Sequence, residues 1–200
     1  MTRVLVAGVG NIFLSDDAFG VEAVTRLARE SLPAGVEVAD FGIRGMHLAY
    51  QLLEGYDALL LIDAMARDKA PGTVTVIEPE LDSAPDGSVL DAHGMAPDEV
   101  VALIGSLASQ TGSAAPDRIY VVGCEPESCA EGIGLSPVVE AAIGPALQIV
   151  RELINQVIEE GGGDGASTHS GDRAARGGGS SGGVASGYRA VLEDPGHVRT

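Results

Sequence analysis

Ala58-Leu59-Leu60-Leu61-Ile62 is an unbroken aliphatic run that ends on an aspartate, Asp63. A strand with one wet face alternates apolar and polar residues. A strand that is apolar at every position is covered on both faces. This run therefore calls for a sheet sandwiched between helices. Val4-Leu5-Val6-Ala7, bounded by Gly8, makes the same demand near the start of the chain.

The segments between and after these runs supply the helices. Val21–Leu32 places Val21, Val24, Leu27 and Ala28 on one helical face, and Pro33 and Gly35 stop it. Val36–Phe41 alternates and reads as a second strand, with Asp40 at its end. Met46–Leu53 reads as a short helix closed by Gly55. Thr73–Ile77 reads as a strand of β-branched residues. It follows Asp63 too closely for a crossover helix, which leaves an antiparallel pairing open. A polar loop over Glu78–Ala92 leads to His93. Pro97 opens a helix over Asp98–Ala108, and Arg118–Val122 is the last strand. Ser136 and Pro137 are the N-cap and first residue of a long helix that ends near Glu160. Its apolar face is Val139, Ile143, Leu147, Val150, Leu153 and Ile154.

Strands alternating with helices predict an α/β fold. It is a three-layer sandwich with a mainly parallel, twisted sheet of about five strands and helices on both faces. Residues 1–160 form this domain. Gly161–Thr200 holds twelve of the 28 glycines and no sustained apolar period, so residues 161–200 read as a disordered Gly/Ser-rich tail.

Net charge is −17. The tail balances Asp164, Asp172, Glu193 and Asp194 against Arg173, Arg176, Arg189 and Arg199, so the whole deficit lies on the domain. Such a surface repels a phosphate backbone, and no nucleic-acid partner is expected. No apolar run is long enough to span a membrane, and the first residues do not read as a signal peptide, which makes a cytoplasmic protein the expectation. Cys124 and Cys129 alone are too few for a structural zinc site and read as small buried or half-buried residues.

In doubly wound sheets, sites form at the carboxyl ends of strands. Asp17 follows the first strand, Asp40 ends the second and Asp63 ends the third, so three distant acids converge on one edge. Gly8-Val9-Gly10 invites a dinucleotide reading, but Phe13 stands at the third glycine position and Asp16-Asp17 would meet the pyrophosphate. The glycines instead let the chain turn tightly. Adjacent carboxylates do not easily point the same way, so one of the pair faces the site and the other supports the loop. Two carboxylates and the His93 imidazole suit a divalent ion such as nickel or zinc, with coordination left open for a partner. Taken singly, each has a plainer reading: an acidic first turn at Asp16-Asp17, a cap at Asp63, an ordinary loop histidine at His93. An aspartic dyad of Asp17 and Asp63, and a thiol dyad of His93 with either cysteine, are further arrangements the residues permit. Gly-x-Ser-x-Gly and His-Glu-x-x-His are absent.

The stretch Val4–Gly20, VLVAGVGNIFLSDDAFG, resembles the N-terminal signature of the nickel–iron hydrogenase maturation endopeptidases. Asp40-Phe41-Gly42-Ile43-Arg44-Gly45 is similar to that family's Asp-x-Gly-x-x-Gly element. Leu61-Ile62-Asp63-Ala64 resembles its strand-end aspartate and Ala92-His93-Gly94 its histidine region. Gly123–Ser128 with Gly134–Pro137 resembles its late loop and helix start. The resemblance spans roughly residues 3–158. It implies an endopeptidase that removes the C-terminal extension of the nickel-loaded hydrogenase large-subunit precursor. The nickel, carried by the precursor, would be the recognition element. It implies Asp17, Asp63 and His93 as the catalytic, metal-contacting positions, Asp40 as a substrate-binding residue, and a monomer. Ala18 stands where many members have glycine, which bears on loop shape. A non-catalytic maturation chaperone that senses the nickel site is the alternative reading.

Overall fold

In the computed structural model, residues 1–79, 103, 112 and 114–162 are described, together with the backbone of 188–193. The described residues form a six-stranded sheet in the order β2-β1-β3-β5-β4-β6. The strands are β1 (Val4–Val9), β2 (Val36–Gly42), β3 (Ala58–Ala64), β4 (Val74–Pro79), β5 (Arg118–Cys124) and β6 (Tyr188–Glu193). The helices are α1 (Phe19–Leu27), α2 (Gly45–Leu52) and α3 (Pro137–Gly162), and a 3₁₀ turn over Ser15–Ala18 precedes α1.

The α/β class stands, and the sheet is mixed. β1 pairs in parallel with β2 and β3, and β3 with β5. β4 is antiparallel to both β5 and β6. The reason is the short loop between β3 and β4, which leaves no room for a crossover helix. The count exceeds five because β6 lies within the stretch read as a disordered tail. Tyr188–Glu193 runs antiparallel along the outer edge of β4, from Tyr188 opposite Pro79 to Glu193 opposite Thr75.

The apolar runs behave as their composition requires. Every residue of β1 is buried, as is β3 through Asp63. Val4, Val6, Ala58, Leu60 and Ile62 pack on one face against α1 and α3, with Phe19, Leu27, Ile143 and Leu153 among their contacts. Leu5, Ala7, Leu59 and Leu61 pack on the other face against Leu48, Ala49 and Leu52 of α2. Truncating one such leucine to alanine costs about 2–5 kcal/mol. α3 begins at Pro137 as expected, and all six residues of its anticipated face are buried. It runs through Pro145, whose side is exposed, because the packed face holds the helix together there. α1 is shorter than its pattern, ending at Leu27.

Strand order fixes where a site can form. The chain leaves β1 for β2 on one side and returns to β3 on the other. The crevice between the carboxyl ends of β1 and β3 is therefore the topological switch point. His93, the loop over residues 80–92 and most of the Asp98–Ala108 helix lie outside the described residues.

Candidate functional site

Two glycines bring the acids to the switch point. A Cβ on Gly20 would collide with the backbone oxygens of Ile62 and Val9, so α1 starts directly on the ends of β3 and β1. Gly10 has φ +130°, and a Cβ there would run into the Asp17 carbonyl oxygen. These close approaches are open only to glycine. They press the Ser15–Ala18 turn onto the sheet beside Asp63, and Asp17 rides on that turn.

Asp63 is 6% exposed at the end of β3, opposite Gly123 of β5. Burial pushes its carboxyl well above the usual aspartate range, and the charge of Asp17 pushes it further; a backbone hydrogen bond from Ala64 only partly opposes them. The structure thus brings Asp17 close enough for Asp63 to feel its charge. Asp17 is half-buried and accepts the Asn11 N–H on Oδ2 at 2.7 Å. Such a pair can hold and pass one proton, which is general acid–base chemistry.

Asp16 takes the supporting role. It is fully buried and accepts four hydrogen bonds from a loop more than a hundred residues away. Glu127 N–H, Ser128 N–H and the Ser136 hydroxyl donate to Oδ2 at 2.9, 3.0 and 2.9 Å, and Ser136 N–H donates to Oδ1 at 2.6 Å. Burial alone would raise its pKa, but these donors outweigh it and hold the carboxyl below its ordinary value. The Asp16 N–H in turn donates to Ser128 O, and Ser15 N–H to Gly132 O, both at 3.1 Å. The two loops are thereby zipped together over the site. Glu125, also buried, accepts the Arg67 N–H at 2.7 Å and ties down the start of the loop after β3.

The cysteines follow their expected reading in part. Cys124 is buried, and burial followed by the Asp16 and Glu125 charges pushes its thiol to about 12. Such a thiol is no nucleophile at neutral pH. Cys129 is exposed; burial and then Asp17, Asp16 and Asp63 raise its thiol, so it lies in the field of the acids. Among the described residues no three His, Cys, Asp or Glu side chains are gathered as a metal set.

Asp40 is exposed on β2 and pairs across the sheet with Gly8, which pairs with Ile62. Two strand spacings, about 10 Å, therefore separate it from the end of β3. Its Oδ1 accepts the Gly42 N–H at 2.8 Å. Asp40 lines a groove of about 290 Å³ with Gly10, Asn11, Ile12, Phe13 and Ile43. The apolar walls of that groove escaped sequence reasoning. The signal was present, three large apolar residues, Ile12-Phe13-Leu14, within a Gly/Asn/Ser loop.

The fold and site define an α/β protein with a carboxylate pair at its switch point and an open groove beside it, a class equipped for acid–base chemistry on a bound partner. The family model described as hydrogenase maturation protease matches residues 21–153. The chain is 39% identical over 150 residues to the hydrogenase 2 maturation protease of Escherichia coli, covering 74% of this chain and 88% of that protein. It is 34% identical over 155 residues to the hydrogenase expression/formation protein HupD of Rhodobacter capsulatus, covering 76% and 71%. The structure of the maturating endopeptidase HybD from E. coli superposes with a TM-score of 0.63 at 35% identity, covering 78% of this chain and 93% of that one. A hydrogenase 2 maturation peptidase from a Thaumarchaeota archaeon gives 0.59 at 28% identity, covering 76% and 98%. The chain belongs to the hydrogenase maturation protease family and is an endopeptidase. No helix among the described residues is long and apolar enough to cross a membrane.

Proposed function

We propose that this endopeptidase removes the C-terminal extension of a nickel–iron hydrogenase large-subunit precursor once nickel has been inserted. The observation that carries the reading is Asp63, buried at the switch point with its proton affinity raised by burial and by Asp17. The relatives named as hydrogenase maturation proteases supply the class of substrate.

Nickel belongs to the substrate in this reading. Asp17 and Asp63 offer hard oxygen donors and His93 an imidazole, a set suited to a divalent ion whose other ligands come from the precursor. When bound, the ion supplies Lewis-acid polarisation of the scissile carbonyl. The chain's own groups do the rest. Both carboxyls meet the ion deprotonated, and Asp17, held by the Asn11 N–H, takes a proton from the attacking water on the oxygen it keeps off the ion and returns that proton to the leaving amine. Water adds to the carbonyl carbon, the C–N bond breaks, and the products are a carboxylate and an amine. Asp40 receives a basic residue of the precursor near the cleaved bond, a charge-assisted contact. Action as a cytoplasmic monomer belongs to the same reading.

The test is the intact mass of the precursor, with and without nickel, after incubation with this protein. Loss of a C-terminal peptide from the nickel-loaded sample alone supports the reading. An unchanged mass in both samples, with complex formation, would point to a non-catalytic sensor.

A further inference from the structure

The chain exposes Phe13 at 62%, Ile43 at 63% and Ile12 at 46%, and all three line the groove beside Asp40. Scattered exposed apolar residues need no explanation, but three gathered on one groove do. Their backbones are also fixed. Phe13 N–H donates to Asn11 Oδ1 at 3.0 Å, and Phe13 O accepts the Gly132 N–H at 2.9 Å. Ile43 lies between Gly42, whose carbonyl accepts the Gly10 N–H at 3.0 Å, and Arg44, whose N–H donates to Phe41 O at 2.8 Å. Large apolar side chains held out on pinned backbone are preorganised for binding, since little ordering entropy remains to be lost.

Two opposite charges line the groove, Asp40 and Arg44, and they differ in what they leave open to a partner. Asp40 keeps Oδ2 free of any hydrogen bond among the described residues. The Arg44 guanidinium is engaged with backbone instead, donating to Asp40 O at 2.7 Å and Phe41 O at 3.0 Å. About 290 Å³ is at the lower limit of pockets that hold drug-sized ligands, roughly 300–1,000 Å³, so the space suits one or two side chains rather than a cofactor. The groove is continuous with the acidic site, because Asn11 both lines it and holds Asp17.

The geometry points to this groove as the docking site for an extended segment of the hydrogenase precursor. A large apolar side chain seats between Phe13 and Ile43, and a neighbouring lysine or arginine reaches Asp40. The inference rests on the protease reading and adds Phe13 and Ile43 as specificity-determining residues. They set how tightly the precursor binds, while Asp17 and Asp63 set how fast it is cut.

The experiment is a kinetic series on nickel-loaded precursor, followed by intact mass. It compares wild type with the double variant Phe13→Ser/Ile43→Ser and with Phe13→Leu. The double variant is expected to raise KM at least tenfold with kcat within about twofold, and Phe13→Leu to stay within about threefold of wild type in both. An unchanged KM in the double variant, with wild type still trimming, would overturn the groove and leave the protease reading standing. Failure of wild type to trim any nickel-loaded precursor would overturn the protease reading itself. A photo-crosslinking residue at position 13 gives a readout independent of the double variant's folding. Crosslinks to the precursor near the cleaved bond support the assignment. Crosslinks to a second copy of this chain, with a dimer in light scattering, would contradict it.

Discussion

Asp16 and Ser136, 120 residues apart, are joined by two hydrogen bonds, from the Ser136 N–H at 2.6 Å and its hydroxyl at 2.9 Å. This contact fastens the turn that carries Asp17 to the start of α3. Asp16→Ala would leave four donors without their acceptor. The expected cost is about 3 kcal/mol, or a drop of roughly 6–12 °C in Tm, measured by calorimetry.

The same carboxyl gives a pH signature. Its folded pKa is depressed, so its contribution is full above the unfolded value of about 3.9. It disappears as pH falls through the lower, folded value. Wild type is therefore expected to lose Tm steeply below about pH 4, and Asp16→Asn to show a shallower acid limb. Parallel acid limbs in the two proteins would show that Asp16 does not titrate as described.

Asp63 has the opposite sign. Its folded pKa is raised, so it stabilises the fold only while protonated, and that contribution is lost as pH rises from the unfolded value through the folded one. Asp63→Asn removes the buried charge. It is expected to raise Tm by about 2–4 °C near neutral pH, with a smaller gain near pH 4, while abolishing cleavage. A variant less stable than wild type at pH 7 would mean that the carboxylate is stabilised by its surroundings.

Gly20→Ala tests the seating of the site. The added methyl meets the backbone oxygens of Ile62 and Val9, which cannot move without disturbing the sheet. α1 and the Asp17 turn must lift away. Cleavage is expected to fall at least a hundredfold, since misplacement of about 1 Å can cost that much. Near-wild-type cleavage by Gly20→Ala would separate Asp17 placement from this contact.

β6 covers the outer edge of β4. Truncation after Gly162 uncovers that edge, a template for pairing with another chain. The truncated protein is expected to keep a cooperative thermal transition, because β1, β3 and the helices are untouched, but to associate with rising concentration in light scattering. A strictly monomeric truncation would show that the edge needs no cover.

The fold was legible where composition leaves one option. Ala58–Ile62 and Val4–Ala7 are apolar at every position, and both became strands buried on two faces. The start of α3 was legible from Ser136 and Pro137, since capping is local chemistry. Strand ends place acids by topology alone, which puts Asp17, Asp40 and Asp63 on one edge of the sheet, although Asp40 lies two strands from the end of β3. That one acid of the Asp16-Asp17 pair supports the loop was also legible; that it is Asp16 was not. Its partners at Glu127, Ser128 and Ser136 come from long-range packing that no local pattern records. β6 was hidden because a glycine-rich tail has too little apolar period to announce a strand, and its pairing is supplied by the free edge of β4. The groove was missed because the apolar cluster Ile12-Phe13-Leu14, though visible in sequence, does not say which of its side chains the fold leaves exposed.

In the proposed reaction, Asp17 and Asp63 together cut the nickel-loaded precursor. The most direct measurement is the intact mass of that precursor, with and without nickel, after incubation with wild type, Asp17→Asn or Asp63→Asn. The account predicts loss of a C-terminal peptide only with wild type and only from the nickel-loaded sample. Trimming at wild-type rate by either variant, or equal trimming of the nickel-free precursor, would contradict it.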